Sequence, residues 1–143
     1  MRTFAFKFVG TVSVVVHNAQ SPTDAELREY LRALENRDVR TMRSLVFTTG
    51  GGPTPAQRKE LNRALNGDHP TAVVSNGAMV RGIVTALGWF NSKIKAFAPE
   101  DVEGAFRYLE IPPSEFELFL REIKVLQAQV GDRPTLRSVS RRL

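Results

Sequence analysis

Strand-like and helix-like spacings alternate along almost the whole chain, and that alternation constrains the fold more than any single motif. Phe4, Phe6 and Phe8 alternate with Thr3, Ala5 and Lys7, and Val12, Val14 and Val16 alternate with Thr11, Ser13 and Val15. A period of two marks strands, so Thr3 to Val9 and Thr11 to His17 are expected as a hairpin joined at Gly10. Thr23 followed by Glu26 is a capping-box signature, and Leu27, Tyr30, Leu31 and Leu34 continue it at helical spacing. Leu45-Val46-Phe47 is a short apolar run of the kind buried on both faces of a parallel sheet. Thr54, Pro55 and Gln57 then open a second capped helix bearing Leu61, Ala64 and Leu65. Thr71 to Ser75 predicts another strand. The segment from Gly77 predicts a helix apolar almost all round, Lys93 to Phe97 a last strand, and Pro99 to Leu109 a helix.

This order implies right-handed crossovers. The expected class is α/β, with a mixed, mostly parallel five-stranded sheet flanked by helices. The 143 residues suit one domain, placed at residues 1–110. Residues 111–143 form an extension: a C-terminal amphipathic helix and a basic tail. Pro112-Pro113 punctuates the boundary, and Ser114 with Glu117 reads as a third capping box. Phe116, Phe119, Leu120, Ile123 and Leu126 make one apolar stripe, expected as an interaction helix. Left in water, five such residues forfeit about 7–15 kcal/mol of gross burial. The stripe is therefore expected to be covered, either by a neighbouring subunit in a homodimer or higher assembly or by the chain's own sheet.

Composition removes whole classes of chemistry. There is no cysteine and there are two histidines, so thiol nucleophiles, Cys-ligated metals and His-rich centres are excluded, and no metal or cofactor is expected. Neither His17 nor His69 has a ligand set beside it, and both are read as surface residues. The net charge of +5 is uneven: Arg133, Arg137, Arg141 and Arg142, against Asp132, put +3 of it in the last thirteen residues. A nucleic-acid partner is not expected from so nearly neutral a body. No window reaches the ~18–20 apolar residues of a membrane span, and the N-terminal run alternates instead of forming a signal segment. The chain is read as cytoplasmic.

Three places could carry function. The turn Gly50-Gly51-Gly52-Pro53-Thr54 feeds a helix N-terminus, where backbone N–H groups and the helix dipole attract anions. It lacks the Gly-Lys-Ser/Thr ending of a P-loop. Arg58 and Lys59 follow it, and with no evident general base a phosphate-ester enzyme is the remotest reading. Met79, Ile83, Leu87 and Trp89 could line a slot for a small apolar ligand, or be plain core. The third place is the C-terminal stripe.

Val73-Val74-Ser75-Asn76 through Trp89-Phe90, then Ile94-Lys95-Ala96-Phe97 and Glu100 to Leu109, together with the leading hairpin, resemble a STAS-type domain. The nearest likeness is the SpoIIAA-like (STAS/SEC14-like) subgroup, over about residues 3–110. The resemblance implies a non-enzymatic regulatory or protein-interaction module with itself or a regulatory protein as partner. In its anti-sigma-factor antagonists a Ser or Thr at the start of the second helix is phosphorylated. Thr54 takes that position here, Thr49 matches it less well, and Gly51 and Gly52 complete the turn. The Asp-Ser-x-Gly pattern of those proteins is replaced by Gly50-Gly51-Gly52-Pro53-Thr54-Pro55. The SpoIIAA-like subgroup implies the alternative, a carrier or sensor of a small apolar, lipid-like ligand.

Overall fold

The computed structural model describes residues 2–76, Gly82 and residues 92–131. Met79, Ile83, Leu87 and Trp89 lie outside these residues, as do Arg133, Arg137, Arg141 and Arg142. The architecture is α/β, as the spacing predicts. Strands β1 (Phe4–Val9), β2 (Val12–His17), β3 (Arg43–Thr48), β4 (Thr71–Val74) and β5 (Ile94–Phe97) form one sheet in that spatial order. β1 and β2 are antiparallel, and every other neighbouring pair is parallel. The two-residue loop between β1 and β2 needs a positive φ at its first position to match strand twist, and Gly10 supplies it at +60°.

Two helix layers cover the sheet. Helices α1 (Asp24–Leu34) and α2 (Pro55–Leu65) lie on one face; α3 (Val102–Tyr108) and α4 (Phe116–Gln129) lie on the other. Alternation along each strand divides the side chains between them. Val12, Val14, Val16, Leu45, Phe47, Ala72 and Val74 meet Phe106, Leu109, Phe119, Ile123 and Leu126. Phe4, Phe6, Phe8, Val15 and Val46 face Tyr30, Leu34 and Leu61.

Two of the three capping boxes form. Thr23 and Thr54 each accept from the third helical N–H, and Glu26 and Gln57 reach back to the cap N–H. The third does not. Pro112-Pro113 starts a 3-10 turn over Pro113–Glu115, closed by Glu115 N–H donating to Pro112 O at 2.8 Å. Ser114 therefore sits inside a helical turn, and α4 starts at Phe116 without a side-chain cap.

The C-terminal stripe takes the second of its two expected places, the chain's own sheet. Phe119, Ile123, Leu126 and Val130 are buried against β1 and β2 of the same chain, with Phe116 and Leu120 half-buried beside them. Lys7 of β1 pairs with Glu122 of α4. Residues 111–131 are thus built into the sheet's second layer, because the strands present an apolar face there that would otherwise be wet.

Candidate functional site

The sheet face under α1 and α2 is not uniformly apolar. Its strands place three rows side by side. Ser13, Ser44 and Thr71 are in register, then Val15, Val46 and Val73, and His17 pairs with Thr48 beyond them. An apolar band therefore runs between two polar ones. The polar groups are largely satisfied, as buried ones must be. Ser13 Oγ and Tyr30 Oη are 2.7 Å apart, and Ser44 Oγ lies 2.9 Å from His69 Nε2. Ser75 donates to Thr48 O at 2.8 Å, and Thr48 donates to Gly51 O at 2.6 Å. Burial pushes the Tyr30 phenol up to about 12, with the Ser13 hydrogen bond acting against it.

Helix α2 does not close on this surface. Gln57 is its only buried side chain, and Leu61, Ala64 and Leu65 are half-buried. Gln57 Nε2 donates to Pro22 O at 2.9 Å and Asp24 Oδ1 at 3.1 Å, pinning the N-terminal end of α2 to the start of α1. Below that pin a slot of about 140 Å³ lies between helices and sheet. Phe4, Val15, Leu27, Val46, Leu61, Leu65 and Ile94 form its apolar lining. Ser44, His69 and Thr71 mark one end of β2–β4; His17, Pro53 and Arg58 mark the other. Next to His17, Val46, Pro53 and Arg58 opens a wider hollow of about 310 Å³, edged by Ala19, Ser21, Thr48 and the three glycines.

Both histidines are buried, contrary to the surface reading: His17 is 7% exposed and His69 is 6%. His17 closes β2 with the same inward parity as Val15, and its ring lies 5.0 Å from that of Phe4. Burial holds its imidazole down at about 4, opposed by the Glu26 carboxylate. His17 is therefore neutral at pH 7, and its buried Nδ1 has no hydrogen-bond partner among the described residues. Burial likewise lowers His69, with a backbone hydrogen bond at Gly67 raising it. Arg58 projects from the first turns of α2 and donates through Nη1 to Pro53 O at 3.0 Å; its Nε is buried without a partner among the described residues.

The glycine turn is not an open anion cradle. Gly50 N–H donates to Thr48 Oγ1 at 3.0 Å, and Gly51 N–H donates to Asn18 O at 2.8 Å. Thr54 N–H and Gln57 N–H are taken up by the capping box. Thr54, Thr49 and Gly52 are half-buried, and the Thr54 hydroxyl accepts from Gln57. Anion binding there would have to displace bonds the chain already makes. The structure gathers Gly51 and Gly52 around the wider hollow, with Thr54 engaged as a cap.

No family model, curated protein or solved structure matches this chain. Among the described residues no three His, Asp or Glu side chains are grouped to hold a metal ion. No described helix is long and apolar enough to cross a membrane.

His17, Arg58 and His69 are the residues that sequence reasoning missed as a set. The signal for His17 was parity: it continues Ser13 and Val15 onto the α1/α2 face. Arg58 was marked locally as a cation in the first turns of α2, but the gap that α2 leaves above the sheet, which brings it to His17, has no linear signal.

Proposed function

We propose that this chain is a non-enzymatic, STAS-like binding module for a small ligand with an apolar body, held between α1, α2 and the sheet. The slot of about 140 Å³ carries this reading. Protein interiors are normally packed to the density of organic crystals, so a space of this size beside half-buried leucines is unusual. An apolar cavity of ~150 Å³ is enough to take up one benzene ring. Mostly apolar walls with a few convergent polar groups are the usual character of small-molecule sites. The size of the slot favours a compact ligand over an extended lipid chain. The regulatory, protein-interaction reading loses its main support, since the C-terminal stripe is covered within the chain and Thr54 is occupied as a cap.

Benzene-saturated buffer tests the proposal. Amide shifts in a nitrogen–proton correlation spectrum are expected at Val15, Val46, Leu61 and Ile94, and Leu61→Trp, which fills the slot, is expected to abolish them. Shifts scattered over the surface, or unchanged by Leu61→Trp, would count against it.

A further inference from the structure

Two buried nitrogens that find no hydrogen-bond partner among the described residues, His17 Nδ1 and Arg58 Nε, belong to residues at the same end of the slot. His17 and Arg58 both line the apolar slot and the wider hollow beside it, so they stand where the two spaces meet. Leaving a buried donor unsatisfied is costly, and a guanidinium Nε–H can only donate. Among the described residues no carboxylate forms an ion pair with Arg58. Its charge also sits near the N-terminus of α2, whose first turn has no acidic residue. A cation there opposes the helix dipole unless an anion lies beside it. The nearest acid along the Gln57 bridge is Asp24, which accepts from the Gln57 amide.

We propose that the slot binds a small aryl or branched-alkyl monocarboxylate, with its carboxylate on Arg58 Nε–H and His17 Nδ1 and its apolar body against Leu27, Val46 and Leu61. The inference rests on the ligand-binding reading above and adds the chemistry of the head. Either nitrogen of a neutral imidazole can carry the proton, and a carboxylate at His17 selects the tautomer with Nδ1–H. Charge balance sets a monoanion. Arg58 supplies one positive charge and neutral His17 none; the Glu26 carboxylate that acts on His17 is held by Thr3 and Thr23, and Gly50 and Gly51 have already committed their N–H groups. A phosphate dianion would find too few donors. Volume sets the body, since one ring matches a space of this size.

Calorimetric titration of the full chain at pH 7 with benzoate, benzyl alcohol and phenyl phosphate tests this. Benzoate is expected to bind at least about tenfold more tightly than either other compound, as charge-assisted hydrogen bonding to a guanidinium with a buried Nε implies. Arg58→Met is expected to remove that preference while leaving benzyl alcohol within about threefold. Arg58→Lys, which keeps charge but loses the planar fork, is expected to fall between. Correlation spectra of each variant establish that it is folded. Benzyl alcohol or phenyl phosphate binding as tightly as benzoate overturns the monocarboxylate while the slot reading stands. So does a benzoate affinity unmoved in folded Arg58→Met. If none of the three compounds binds and benzene produces no shifts, the slot reading falls with it.

Discussion

Burying His17 has a consequence for stability that can be signed. In the unfolded chain its imidazole takes up a proton below about pH 6.5, whereas in the folded chain it stays neutral until about pH 4. Between those values the unfolded state binds more protons, so stability is full above pH 6.5 and falls as the pH drops to 4. The difference corresponds to about 3 kcal/mol. Glu26 extends the loss further into acid. Burial pushes its carboxyl up, but hydrogen bonds from the Thr3 and Thr23 side chains and backbones outweigh that and hold it at about 2. Its contribution is therefore lost between its ordinary value of 4.5 and about 2. Urea unfolding at pH 7, 5.5 and 4 should show a steady fall, and His17→Phe should make it shallower between pH 6.5 and 4, the remainder coming from His69, which burial also lowers. A second prediction concerns Gly51, where a Cβ would lie 2.1 Å from Gln20 O and 2.4 Å from Asn18 O. These are backbone atoms that cannot swing aside, so Gly51→Ala should cost about 1–3 kcal/mol or more in the same assay. The glycine turn was legible as a special place, though for the wrong reason: its glycine serves close packing of one loop on another. His17 was legible in principle from strand parity, which a search for ligand motifs overlooks.

At the scale of elements, local chemistry predicts starts better than directions. Thr23/Glu26 and Thr54/Gln57 cap their helices, with Glu26 and Gln57 using their remaining atoms on Thr3, Pro22 and Asp24. Ser114 fails because the prolines before it begin the turn early. The decisive connection is the end of α3. Ile111 N–H donates to Phe106 O at 2.9 Å and Glu110 N–H to Arg107 O at 3.0 Å, with Glu110 left-handed at φ +59°. This is a Schellman ending, which normally carries glycine at the left-handed position. It turns the chain back so that Ile111 is buried in the core, and that sends α4 onto the sheet. The sequence left the direction of α4 open because glutamate at residue 110 gives no hint of this ending. Glu110→Gly relieves a side chain held in an unfavourable conformation and should raise stability by roughly 1 kcal/mol, read as an upward shift of the urea midpoint with an unchanged slope.

Across the whole molecule, the sheet needs both helix layers, and they differ in how completely they close. The succession of elements and the mixed sheet were legible because period-two runs and capped helices alternate along the chain. The gap under α2 was not, since no linear pattern reports how far a helix stands from a sheet. On the opposite face the packing is dense: Val12, Val14 and Val16 of β2 are almost wholly buried in the cluster that Phe119, Ile123, Leu126 and Val130 complete. Removing those four side chains forfeits about 6–12 kcal/mol of burial, at roughly 1.5–3 kcal/mol each, and exposes strand surface besides. A domain of this size has about 5–15 kcal/mol in total. A chain ending at Glu110 should therefore lose its cooperative thermal transition by circular dichroism. If α4 served mainly to join subunits, the shortened chain would instead keep a cooperative transition and change only its sedimentation. Phe119→Ala in the full chain gives the graded version. It should cost about 3–5 kcal/mol for a truncated buried aromatic, with the remaining transition still cooperative and shifted to lower temperature.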